Sequence, residues 1–152
     1  MDKKKIGEII EGRGARYAEA ADEIWGYAET AFRERRSMAA QIRLLEEEGF
    51  RVANNVGGVE TAFCGEWGEG RPVIAFLGEF DALAGLSQKA GLDRREAEVP
   101  GGNGHGCGHN LLGVASIAAA AALKKIMREQ GLKGTVRYYG CPGEEGGSGK
   151  AF

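Results

Sequence analysis

Histidine is scarce in this chain of 152 residues, with two, and cysteine and proline number three each. An odd number of cysteines without regular spacing excludes a disulfide framework and fits a reducing compartment, so the cytoplasm is expected. Neither charge sign dominates: 20 basic residues face 22 acidic ones, which leaves no net field to draw the chain to nucleic acid or to an anionic membrane. The start MDKKKIGEII lacks a continuous apolar stretch and a small-residue cleavage site, so it does not read as a secretory signal. The longest apolar run, residues 111–123, is interrupted by Ser116 and falls short of the ~20 residues that a membrane span needs.

Several motifs are missing as well. There is no C-x-x-C pair, which argues against a structural zinc site closed by four thiolates. EEGGSGKA has a P-loop cadence, but Glu144 stands where glycine is required and Ala151 where serine or threonine is, and two carboxylates would repel a phosphate. No G-x-G-x-x-G passes through residues 101–108, and Ser148 lacks the G-x-S-x-G setting of a nucleophile elbow. Nucleotide binding and serine hydrolysis both drop out.

What is present is an ordinary folded composition, 43% apolar and 28% charged, with an excess of glycine. Many of the 26 glycines crowd into residues 101–108 and 140–149, as expected where backbone must approach a ligand or another segment closely. Helical spacing of Ile6, Ile9, Ile10, Tyr17, Ala20, Ala21, Ile24 and Trp25 predicts a helix over residues 3–28 with soft spots at Gly12 and Gly14. A second helix is predicted over residues 34–48, with Met38, Ile42 and Leu45 on its apolar face and Gly49 closing it. Its charge runs RERR and EEE read as solvated ends and outer face.

FRVANNV and VETAFCGEW predict two strands joined at Gly57 and Gly58, with Cys64 a small core residue. Val73 to Leu77 is continuously apolar, the pattern of a strand covered on both faces. After an irregular stretch, residues 84–104, LLGVASIAAAAALKKIMREQ predicts a long helix closed by Gly131, and GTVRYYGC another strand. Strand, crossover helix and strand form a βαβ unit, whose functional groups gather at the carboxyl ends of the strands. Those ends are GEFDAL, GHGCGHN at the helix start, and CPGEEGGSGK, which together collect Glu79, Asp81, His105, Cys107, His109, Glu144 and Glu145.

Thiolate, imidazole and carboxylate form the ligand set of zinc and related divalent ions. Taken singly, Cys-x-His is equally a turn with a buried thiol and a hydrogen-bonded imidazole; GEE has as its lesser alternative an acidic helix N-terminus, and the two readings of GEE are compatible. Adjacent carboxylates on a loop also point apart, so one can hold metal while its neighbour handles protons. Cys141, before Pro142, either lines the site or is simply buried.

The blocks PVIAFLGEFDALAGLSQKAG, NGHGCGHNLLG and RYYGCPGEEGGSGK resemble those of the metal-dependent amidohydrolases related to aminoacylases and zinc carboxypeptidases, and the resemblance runs from about Asp22 to the last residue. It implies an α/β fold, a three-layer arrangement of a mixed, partly parallel sheet with flanking helices. It also implies two divalent ions, manganese or zinc, with Cys107 as a bridging thiolate, His109 and Glu145 as further ligands, Glu144 as general base and Asp81 orienting the site. The substrate implied is a small N-acyl or aroyl amino acid, glutamate conjugates favoured. Where the wider family has His-x-Asp, this chain has Glu79-Phe80-Asp81, which leaves Glu79 a supporting role and the role of His105 open.

By the same resemblance residues 1–152 form the N-terminal part of a catalytic domain, with further histidine ligands, the remaining strands and a lid or dimerisation domain lying outside them. The complete protein is then expected as a homo-oligomer or with a partner subunit, and this chain alone as inactive. The rival reading is a non-catalytic assembly module that pairs through an exposed sheet edge. A redox-thiol protein is disfavoured, because Cys107 has no resolving cysteine nearby in sequence.

Overall fold

A computed structural model describes residues 3–151. Among these, four helices precede, separate and flank four strands: α1 (Lys3–Glu11), α2 (Gly14–Tyr27), α3 (Arg35–Glu47), β1 (Arg51–Asn54), β2 (Phe63–Glu69), β3 (Val73–Glu79), α4 (His109–Glu129) and β4 (Gly134–Cys141); a single distorted turn, α5 (Glu144–Gly147), follows. The expected N-terminal helix is therefore two. Gly12 ends the first, because glycine has the largest backbone entropy to lose in a helix, and Arg13 opens the second outside helical φ/ψ. Only α2 buries residues, Tyr17, Ala20, Ala21 and Ile24.

α3 ends as expected, with Gly49 left-handed at φ 75°. Its buried face is rotated from the predicted one, comprising Ser37, Ala40, Gln41, Leu44 and Leu45, while Met38 and Ile42 are only partly covered. Small and polar residues face inward here because the helix sits close to the sheet: a Cβ on Gly65 of β2 would stand 3.0 Å from the Leu45 side chain. The RERR run is not wholly solvated either, since Glu34 is fully buried among exposed arginines.

The sheet order is β1-β2-β4-β3, antiparallel between β1 and β2 and between β2 and β4, and parallel between β4 and β3. This is the expected mixed, partly parallel α/β sheet, with α4 crossing between its two parallel strands. α3 packs on β1 and β2, α4 on β3 and β4, and α2 lies against both helices, so the described residues form one flanking layer. The two-sided cover predicted for β3 is absent among the described residues. β3 is an edge strand, and Val73, Ile74 and Leu77 are 47%, 42% and 51% exposed; it is β4 that lies between neighbours. Cys64, expected in the core, is half-buried in β2.

α4 begins at His109, two residues before the apolar run read from sequence, and its 21 residues reach the length and apolarity of a membrane span. Its buried residues recur along the length of the helix and pack on the sheet and α2, which accounts for its apolarity as a core helix. Beneath it Phe63, Phe80 and Tyr138 form an aromatic cluster, with Phe63 ring centroids 5.7 and 5.9 Å from the other two. Tyr138 is fully buried, and its hydroxyl donates to Gln41 Oε1 at 2.6 Å. Burial pushes that phenol well above its ordinary pKa.

The strand ends can close over this cluster only because they carry no side chains at the contact. A Cβ on Gly78 would lie 2.0 Å from the Tyr138 hydroxyl. Gly78→Ala is accordingly expected to displace a fully buried ring and lower unfolding free energy by about 1–3 kcal/mol, read from the urea midpoint. An unchanged midpoint would show that Tyr138 can yield.

Candidate metal centre

Three segments meet at the carboxyl ends of β3 and β4. The first, after β3, is held by its backbone: Ala82 N–H donates to Glu29 O at 2.8 Å, and Leu83 and Gly104 exchange two hydrogen bonds of 3.0 Å. The second starts α4, where Gly108 takes φ 82°, a left-handed conformation that glycine adopts without a Cβ penalty, and turns the chain so that His109 opens the helix pointing inward. α4 approaches closely at Gly113, where a Cβ would stand 2.5 Å from Glu79 O. The third follows β4, where Gly143, Glu145 and Gly146 all lie outside helical φ/ψ.

His109 is the hub and is almost fully buried. Its Nδ1 lies 2.9 Å from Asp81 Oδ1 and 3.8 Å from Glu145 Oε1, while Nε2 lies 3.0 Å from Glu79 Oε2 and 3.9 Å from Glu144 Oε2. The irregular turn at α5 sends its two carboxylates to opposite sides of the ring. That differs from the alternative of an acidic helix N-terminus, which would need a regular helix. Asp81 accepts the Glu145 N–H through Oδ2 at 2.8 Å, so one buried carboxylate ties the imidazole to the third segment.

Two groups of donor atoms result. Cys107, His109 and Glu145 form one and Glu79, His109 and Glu144 the other, each with its donors within 4.8 Å of one another. Four carboxylates surround one imidazole, and among the described residues the cation beside them is Lys150, 2.5 Å from Glu79 and 3.4 Å from Glu144. Glu145 Oε1 is buried without a hydrogen-bond partner. A buried carboxylate oxygen lacking a donor is costly, and a divalent ion satisfies it, so this soft-and-hard donor set fits such an ion. Desolvation, then the negative field of Glu145, Glu144 and Glu79, pushes the Cys107 thiol up; a bound cation reverses that field and favours thiolate.

All five residues singled out for the site, Asp81, Cys107, His109, Glu144 and Glu145, come together. Glu79, given only a supporting role, touches His109 directly. His105 does not join them: its Nε2 faces Ile24 O at 3.1 Å, burial lowers its basicity, and its Nδ1 is buried without a partner. Cys141 is buried rather than lining the site, and burial pushes its thiol up to about 11. Sequence reasoning missed Lys150 and Glu34. The one closes a segment read for its two carboxylates, with the lysine itself weighed only against a P-loop, and the other is camouflaged in a run of charges.

No protein-family model matches the chain. Over 147 residues, 97% of its length, it is 55% identical to one of the subunits of p-aminobenzoyl-glutamate hydrolase from Escherichia coli. It is 32% identical to Xaa-Arg dipeptidase of Mus musculus, again over 97% of the chain. Among solved structures, a dinuclear metal-binding peptidase of the M20 family from Bacillus subtilis matches 85% of this chain and 36% of its own, with 30% identity and a TM-score of 0.62.

The chain is similar in sequence to an amide hydrolase and a dipeptidase, and in sequence and fold to a dinuclear metal-binding peptidase. The resemblance read from its three sequence blocks and the mixed α/β fold are both borne out. The chain spans about a third of the curated relatives it matches, 31% and 33% of their lengths.

The three thiols provide a test of this placement. In metal-free protein at about pH 8, iodoacetamide is expected to label exposed Cys107 first and Cys141 last, because labelling requires an accessible thiolate. Early labelling of Cys141 would contradict its burial.

Proposed function

We propose that these residues belong to the N-terminal part of a catalytic domain that hydrolyses the amide joining an acyl or aroyl group to an amino acid. The observation carrying the reading is the excess of carboxylate around His109, with a Glu145 oxygen left without a donor. Similarity to an aminobenzoyl-glutamate hydrolase and to a dipeptidase supports the reaction class, and the first of these favours glutamate conjugates. Similarity to a dinuclear peptidase supports two divalent ions, and the thiolate, imidazole and carboxylate donors suit zinc or manganese.

In this reading Cys107, His109 and Glu145 hold metal, with Glu79 beside them. The ions supply Lewis acidity toward the scissile carbonyl and lower the pKa of the attacking water. Asp81 fixes the His109 ring through Nδ1 and the Glu145 backbone through its N–H, so both donors keep their positions as substrate binds. Glu144, half-exposed at the mouth of the site, takes the proton from the attacking water and delivers it to the leaving amine nitrogen. Lys150 holds Glu79 and Glu144 apart from the solvent side, limiting the repulsion between them. Cytoplasmic reducing conditions keep the Cys107 thiol available, and a partner subunit is in keeping with a bacterial relative that is itself one component of a hydrolase.

The assembly reading draws on one observation, the exposed apolar edge strand β3. A sedimentation experiment separates the two: tight association of the whole protein without metal or activity favours assembly, and metal-dependent turnover favours the hydrolase.

The whole protein, loaded with zinc or manganese, is expected to hydrolyse N-acyl or aroyl amino acids. Glu144→Gln should lower kcat by about 10²–10⁴-fold with metal content unchanged, whereas Cys107→Ala should lower metal content. Turnover unaffected by Glu144→Gln would remove it as the base.

The 152-residue chain alone is expected to bind metal weakly and to turn over almost nothing, because an incomplete ligand shell loses both charge balance and geometry. Robust turnover by purified chain, free of longer species, would overturn that.

A further inference from the structure

The connection between α2 and α3 contains a carboxylate with no role in the chemistry above. Glu34 is the residue before α3, fully buried, and its side chain does not cap its own helix. Glu29 performs that service, accepting from Arg36 N–H at 3.1 Å and from Ser37 N–H and Oγ at 2.8 and 2.9 Å. Glu34 is thereby free to reach elsewhere. Its Oε1 accepts from Phe32 N–H and from Gly143 N–H, both at 2.8 Å, and its Oε2 accepts from Thr61 Oγ1 at 3.0 Å. Gly143 is 109 residues away and stands immediately before Glu144.

Phe32 acts on the same loop. It occupies φ 60°, a conformation costly for a non-glycine residue, and its side chain is 44% exposed, so burial does not explain its position. Its ring lies against bare glycine backbone: a Cβ on Gly143, Gly147 or Gly149 would stand 2.6, 2.7 or 3.3 Å from ring atoms. The loop needs such support. Gly143 and Gly146 have positive φ, Glu145 also leaves helical φ/ψ, and the Gly149 N–H that closes the loop back onto Gly143 O does so at a long 3.3 Å. Asp81 anchors Glu145 from one side, which leaves the other side to the α2–α3 connection.

We propose that Glu34 and Phe32 are positioning residues for the Glu144–Glu145 loop: the buried carboxylate fixes Gly143, and the ring supports the glycines on both flanks. Neither touches metal or substrate; they set the direction in which the two carboxylates leave the backbone. The inference rests on the reading of Glu145 as a ligand. Burial raises the Glu34 pKa, and the three donors aimed at its oxygens offset part of that penalty.

The test measures zinc affinity of the whole protein by competition with a chromophoric chelator, together with the thermal midpoint without metal. Glu34→Ala and Phe32→Ala are each expected to weaken zinc about 10-fold or more, the usual effect of losing a group that orients a ligand. Glu34→Gln should stay within about threefold of the parent, since its amide oxygen can accept both N–H groups while its NH2 donates to Thr61. Thr61→Val, which strips a donor from Glu34 without touching the loop, should lower the midpoint but leave zinc binding within about threefold.

Parent-like affinity in both alanine variants would overturn the proposal. So would equal losses in Glu34→Gln and Glu34→Ala, which would indicate charge rather than placement, or a loss in Thr61→Val matching that of Glu34→Ala. Should Glu34→Ala not fold, Phe32→Ala decides with Glu34→Gln, because its ring is half in solvent. Absence of zinc binding by the parent would remove the metal reading and this inference with it, an outcome distinct from failure of the positioning alone.

Discussion

Repulsion among the carboxylates around His109 is the constraint to which the rest of the structure answers. Like charges about 4 Å apart cost about 4 kcal/mol at the effective dielectric of a protein surface, and more where water is excluded. Glu79, Asp81, Glu144 and Glu145 are nevertheless gathered about one almost fully buried imidazole, with Lys150 as partial compensation. The positive N-terminal end of α4 points into the same region and eases the crowding. A divalent cation removes the remaining conflict, which is why the geometry favours a metal over a purely protein network.

Holding such a cluster together requires a scaffold that does not relax away from it. The sheet provides one by making strand ends, helix start and loop approach at backbone distance: Gly78 over Tyr138, Gly140 over Phe63 and Gly113 over the Glu79 carbonyl. Tyr138, pinned through Gln41, then links α3 to the central strand beneath the site. Stability and site geometry thus draw on the same contacts. A side chain added at one of these glycines disturbs core packing and the carboxyl ends of the strands together.

The opposite face of the sheet has a different character. Val73 and Leu77 stand on the exposed edge strand, while the described helices occupy only the other face. An apolar strand of that kind is the pattern of one covered on both faces, and the matched relatives are about three times as long as this chain. The same feature supports the catalytic-domain reading and the assembly reading, which is why metal-dependent turnover, and not exposure, has to separate them.

Local chemistry was legible in the sequence wherever a residue's neighbours along the chain decide its state. The alanine-rich helix, the βαβ unit and the convergence of GEFDAL, GHGCGHN and PGEE on one sheet edge all follow from periodicity and connection rules, and those motifs also carried the resemblance. Gly12 was visible as a soft spot, although its strength as a break was not. Tertiary structure alone decided which strand became the edge, because apolar residues record a preference for cover but not whether a neighbour supplies it. It alone set His105 Nε2 against Ile24 O and Lys150 between two glutamates. It also buried Glu34 within RERR, since contact across 109 residues leaves no trace in local composition.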